Sequence, residues 1–155
     1  MRKPEFVYVT YIETTPEKLW QALTDPDFTQ AYWFGVRLRS DWKPGSKFEM
    51  VRSDGSVADA GEVIQYDPPR RLAYTFVNLS EEYRGERPAR ATFVLEPFGK
   101  LVKLTLTHEG FDEGGKMLAG ISRGWPAILS GLKSLLETGR PLEVPYAAMK
   151  GEDAT

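Results

Sequence analysis

His108 is the only histidine in the chain, and there is no cysteine. Those two facts bound the chemistry at once. No disulfide or thiol nucleophile can form, and zinc sites built from Cys and His clusters are excluded within one chain. No loop of alternating carboxylates suggests calcium, so no metal and no cofactor are expected. No carboxylate pair suits glycoside chemistry. Gly114-Gly115 precedes Lys116 without the rest of a phosphate-binding loop, and reads as a hinge or turn. A serine triad would have to use His108. That residue follows Val102, Leu104 and Leu106 at alternating positions, so on a strand it shares their face. In an apolar pocket it would orient a ligand or move a proton, since histidine titrates near neutrality. With no partner visible in the sequence, the expected role is structural: ending a strand and bonding a backbone carbonyl or Glu109. Tyr74 is the other polar group of interest, because a buried hydroxyl needs a partner, either a ligand or the backbone.

The apolar inventory is richer. Among 155 residues there are 4 Trp, 7 Tyr and 8 Phe, and net charge is only −2. Such a balance leaves no electrostatic footprint for nucleic acid. No apolar run reaches the length of a membrane span, and the start lacks the apolar stretch of a signal peptide. A cytoplasmic protein with no nucleic-acid or membrane partner is expected. Length suits one domain over 1–144, followed by a polar tail over 145–155.

Several elements must position these side chains. EFVYVTYIE (5–13) is β-branched and aromatic and reads as a strand. Thr14-Thr15-Pro16-Glu17 signals a helix start, and Asp25-Pro26 a second one. Strands are expected near 36–41, 46–52, 57–66, 71–78, 89–96 and 101–109, separated by turns at 43–46, 53–56, 67–69 and 96–99 and by a mobile polar loop at 79–88. Six consecutive strands imply an antiparallel meander. Then the period changes: Ile121, Trp125, Leu129, Leu132 and Leu136 make one helical face, and Gly139 supplies the stop. Pro126 predicts a kink, or a helix start just before it. A curved antiparallel sheet with one amphipathic helix on its concave face is the economical α+β solution.

Three further segments accompany ETTPEKLWQALTDPDFTQAYWFG (13–35): DPPRRLAYTF (67–76), FVLEPFGKLVKLTLTHEGF (93–111) and GWPAILSGLKSLLETG (124–139). In type and order they resemble the START-related, birch-pollen-allergen-like helix-grip superfamily, also called SRPBCC. Within it they resemble the branch named after the C-terminal domain of the activator of the heat-shock-protein ATPase. The resemblance implies a seven-stranded antiparallel sheet wrapped around the C-terminal helix, with two small helices closing one end. It also implies a hydrophobic cavity between sheet and helix. Members bind lipids, sterols, polyketides or other apolar ring systems; some cyclise or dehydrate polyketides, and a few are co-chaperones. Fold alone does not choose among these.

The leading expectation is a small hydrophobic or aromatic ligand, lipid-, polyketide- or flavonoid-like. It would contact Phe48, Met50, Tyr74, Phe76, Phe93, Leu106, His108, Trp125 and Leu129, all on alternating strand positions or the last helix's stripe. Tyr32, Trp33 and Phe34 are adjacent at a helix end and cannot all point inward, so they form a pocket mouth or a subunit contact. The second expectation is a cyclase or dehydratase that moves protons with His108 or Tyr74. The third is a co-chaperone or stress-response protein-binding module. A homodimer through an edge strand or the Tyr32–Phe34 patch completes the list of partners.

Overall fold

The computed structural model describes residues 4–145, so all of the expected tail except Pro145 lies outside the described residues. The chain opens with β1 (Glu5–Ile12), followed by two short helices, α1 (Pro16–Thr24) and α2 (Pro26–Tyr32). Both helices begin as their sequence dictates. Thr15 Oγ1 accepts from Lys18 N at 3.2 Å, Asp25 Oδ1 accepts from Asp27 N at 2.8 Å, and each has proline in its first turn. Six strands come next: β2 (Arg37–Ser40), β3 (Lys47–Val51), β4 (Val57–Asp67), β5 (Arg71–Asn78), β6 (Ala89–Phe98) and β7 (Leu101–Glu109). The long helix α3 (Met117–Thr138) ends at Gly139, whose φ is 86°. The seven strands form one antiparallel sheet in the order β1-β7-β6-β5-β4-β3-β2. This is the α+β helix-grip architecture.

Turn chemistry sets the hairpins. Gly45 (φ 88°) lets Ser46 N reach Lys43 O at 2.8 Å, and between β3 and β4 Gly55 (φ 89°) donates its own N–H to Arg52 O at 2.9 Å. The expected turn at 96–99 starts later than its Pro97 suggests, because β6 runs on to Phe98 and pairs Pro97 with Val102. Leu95 N points toward β5 and bonds Arg70 O. Pro97, two residues on, therefore faces the same side, where β5 has already left its partner. A missing donor costs nothing there.

The sheet's concave face and α3 share one core. Val102, Leu104, Leu106 and His108 are all buried, as the alternation along β7 requires, and Trp125, Ile128, Leu129 and Leu132 meet them from the helix. The helix neither starts beside Pro126 nor stops there; it begins nine residues earlier, at Met117. No local side chain caps that end. Instead Glu86, in the loop after β5, accepts from Lys116 N at 3.0 Å and Met117 N at 3.2 Å. A carboxylate suits the unpaired N–H groups and positive dipole end of a helix. The polar loop expected to be mobile is thereby anchored. It holds a 3₁₀ turn (Glu81–Tyr83) and a second tie, Arg87 to Asp112, at 2.6 and 2.7 Å. No helix among the described residues is long and apolar enough to cross a membrane.

Candidate functional site

The middle of the sheet–helix interface is filled. Phe48 and Tyr74 stack with ring centroids 3.9 Å apart, Phe93 lies 5.6 Å from Tyr74, and Trp125 meets Phe93 edge to face at 5.7 Å. Phe48, Tyr74, Phe93, Leu106, His108 and Leu129 are all buried in this packing. Open space lies to one side, beneath the N-terminal half of α3 and over β3, β4 and β5. There a half-open cavity of about 160 Å³ is walled by Trp33, Met50, Phe76, Trp125, Ile121 and Ile128. A second opening of about 420 Å³ adjoins it and shares Trp33, Met50, Asp59 and Asn78. The two make one groove. Of the nine residues expected to line a cavity, Met50, Phe76 and Trp125 stand in its wall and the other six lie behind it.

The three adjacent aromatics divide their work. Tyr32 is buried and donates to Ala22 O at 2.8 Å. Trp33 packs edge to face on Trp125, 5.2 Å between centroids, and forms the groove's inner wall. Phe34 lies at the rim, 36% exposed, with φ at 50°. That left-handed backbone is uncommon for a residue with a Cβ and turns the ring away from the core.

His108 has the partner that sequence spacing does not reveal. Trp125 Nε1 donates to His108 Nδ1 at 2.9 Å, from helix to sheet. Nδ1 must therefore be bare, so the neutral ring carries its proton on Nε2. That N–H makes no hydrogen bond of ordinary geometry, although the Ala89 backbone interacts with the ring, and the residue is 0% exposed. Burial pushes the imidazole pKa from 6.5 down to about 3, against a smaller pull from the Ala89 backbone. At neutral pH the ring is thus uncharged, and its only lone pair is engaged by Trp125. Such a group holds a tryptophan in place; it does not serve as a general base. The hydroxyl of Tyr74 is the other buried orphan, and burial, with Tyr32 adding to it, raises that phenol well above its ordinary 10. Among the described residues no three His, Asp or Glu side chains come together as a metal-binding group.

Sequence reasoning passed over Asp59. Register places it on β4 between Met50 of β3 and Asn78 of β5, so the three share the concave face. Its carboxylate lies in the floor common to both parts of the groove. Asn78 Nδ2 donates to its Oδ1 at 3.3 Å. Burial raises its pKa from 3.8 to about 6, with Arg52 and Asn78 pulling the other way. The signal available in the sequence was an aspartate inside a strand, where aspartate is depleted.

Comparison with known proteins agrees with this architecture. No curated protein matches the chain. Solved structures do. CalU16 from Micromonospora echinospora superposes with a TM-score of 0.70 at 21% identity, over 87% of this chain and 77% of that one. An Aha1 dimer from Colwellia psychrerythraea gives 0.70 at 24% identity, over 88% and 98%. An HSP90 activator from Plasmodium falciparum gives 0.71 at 21%, over 85% and 95%. Identities this low speak for the fold. A sequence profile carries the assignment further: it matches residues 13–137, from the start of α1 to the end of α3, and the chain belongs to the family described as activator of Hsp90 ATPase homolog 1-like protein.

Proposed function

We propose that the chain binds a small hydrophobic or aromatic molecule in the groove between α3 and strands β3 to β5. The observation that carries this reading is the groove's wall. Trp33, Met50, Phe76 and Trp125 face open space from four different elements, although the core beside them is tightly filled. Burying apolar ligand area against them contributes roughly 25 cal/mol per Å², and the polar floor at Asp59 and Asn78 fixes orientation. His108, neutral and engaged by Trp125, is not the base that a cyclase or dehydratase reading would need.

Gly124 provides the test. It lies on α3 in the groove's wall, and a Cβ built there meets nothing within 4 Å. Gly124→Leu should therefore fill the groove without strain. It should also replace a poor helix former, which stabilises by about 1 kcal/mol. The expected result is a higher melting temperature together with at least a tenfold loss of affinity for naphthalene-, flavonoid- and fatty-acid-type probes, read by tryptophan emission and melting shift. If no probe shifts either signal in the unaltered chain, the binding reading fails. Stimulation of a chaperone ATPase by that same preparation would then favour the co-chaperone reading that the family description suggests.

We also propose a homodimer through β1. Val7, Val9 and Tyr11 on the edge strand are 51%, 46% and 40% exposed, and Phe98 beside Tyr11 is 58% exposed. The Colwellia relative was solved as a dimer. Sedimentation should give twice the chain mass, and Val9→Lys should return it to monomer. A monomeric unaltered chain at 100 μM sinks the idea.

A further inference from the structure

Asp59 gives the groove a chemical preference. We propose that its ligand is an organic cation, a protonated amine on an apolar or aromatic body, with the Asp59 carboxylate as counter-ion. The inference rests on the groove being a binding site and names the ligand class it selects. Among the described residues Asp59 has no ion-pair partner. Its one side-chain bond is the neutral Asn78 amide at 3.3 Å, which leaves Oδ2 open to the groove. Trp33, Phe76 and Trp125 line the same groove, and aromatic rings attract a cation where solvent is excluded. The thioether of Met50, directly across the strand pair, completes an apolar and polarizable surround. A carboxylate facing aromatic rings is how proteins hold an ammonium head. An anionic ligand would meet repulsion at the same spot.

The charged or titratable groups in the same walls are Arg52 at the end of β3, Arg123 on α3 and Tyr83 from the loop. Arg52 is solvent-exposed, and its guanidinium bonds Ser56 Oγ at 3.2 Å. Arg123 is exposed on the helix. Both sit at the rim, where solvent and salt weaken them; Arg52 still lowers the Asp59 pKa through space but forms no ion pair with it. They do not occupy the carboxylate. Because the free carboxyl titrates near 6, cation binding should hold above neutrality. It should weaken by up to tenfold per pH unit on acidification below that value.

Three probes of one shape separate the possibilities: 2-naphthylmethylamine, 2-naphthalenemethanol and 2-naphthylacetate, titrated into the full chain by calorimetry at pH 7.5 and 0.1 M salt. The amine should bind at least tenfold tighter than the alcohol and the acetate. Asp59→Asn should abolish that preference while changing alcohol affinity less than twofold. Equal binding of amine and alcohol, tighter binding of the acetate, or a retained preference in Asp59→Asn would overturn the proposal and leave the groove reading intact. Binding of none of the three would remove the groove reading and the proposal with it. Should Asp59→Asn fail to fold, the unaltered chain decides: amine affinity that is unchanged between pH 7.5 and 5 contradicts an Asp59 counter-ion.

Discussion

Gly61→Ala should destabilise the protein by about 3 kcal/mol or more, the largest effect expected from a single added methyl group. Gly61 lies on β4 where it faces β5. A Cβ built there falls 1.8 Å from the Thr75 carbonyl oxygen and 2.9 Å from Phe76 Cα. These are backbone atoms of a neighbouring strand, so no rotamer change relieves the overlap. Two strands must part by more than an ångström, and they part in the centre of the sheet. The same stretch is already irregular: pairing shifts between Val63 and Gln65, and Glu62 N bonds the Thr75 side chain at 3.2 Å. Phe48 of β3, whose register partner is Gly61, stacks on Tyr74 of β5 beside this close approach. A cost of 3 kcal/mol is a large share of the 5–15 kcal/mol that holds a domain folded. For a chain of this size it lowers the melting temperature by about 6–12 °C. Chemical denaturation checks it, and a midpoint within error of the unaltered protein would mean that the strands yield freely. Gly124 is the internal control, because the same methyl group enters empty space there and should stabilise.

That contrast also marks what can be read from residues in order. Both positions are a glycine inside an element, and nothing local distinguishes the one pressed against a carbonyl from the one facing a void. Local rules did reach far. Alternation on β7 placed His108 beside Leu106 on the buried face, and the 3–4 spacing on α3 turned Trp125 toward the sheet. Caps at Thr15 and Asp25 followed from side-chain chemistry within one turn. What stayed hidden depends on contacts between distant segments. Glu86 caps a helix 30 residues later, and the loop that carries it looks merely polar. Trp125 finds His108 17 residues away. Asp59 became visible as a groove residue only through the register that sets it between Met50 and Asn78. Cavity position belongs to the same class. The aromatic residues were legible as inward-facing, but which of them leave a gap depends on ring packing at the level of single ångströms.

Acid should expose His108. Its folded pKa, about 3, lies below the 6.5 of an unfolded chain, so between those values the unfolded state binds the extra proton. Stability from this residue is therefore complete above pH 6.5 and falls as pH drops, by roughly 1.4 kcal/mol per unit, or about 2 kcal/mol at pH 5. Asp59 works in the opposite sense. Its folded pKa of about 6 exceeds the ordinary 3.8, so its contribution is present in acid and lost as pH rises through 6. Because Asp59 is only half-buried, solvent screening reduces its share. The unaltered protein should thus lose stability only gently between pH 6.5 and 5. Below pH 4.5 the surface carboxylates add their own acid sensitivity: Glu49 beside Arg39, Asp54 beside Ser56, Asp112 beside Arg87 and Glu137 beside Lys133 are all held below their ordinary values. The window from pH 5 to 7 isolates the buried pair. Denaturation midpoints across it should steepen by up to 1 kcal/mol per unit in Asp59→Asn, which leaves histidine unopposed. In His108→Asn, which keeps an acceptor for Trp125 Nε1, they should turn slightly upward toward acid, whatever the variant loses in absolute stability to the smaller side chain. Identical pH slopes in His108→Asn and the unaltered chain would mean that His108 takes up its proton without leaving the fold. A buried ring with one nitrogen engaged by Trp125 and no acidic partner among the described residues bears the cost of desolvating its charge, which the Ala89 backbone offsets only in part. The geometry therefore predicts a histidine that senses acid by unfolding rather than by catalysis.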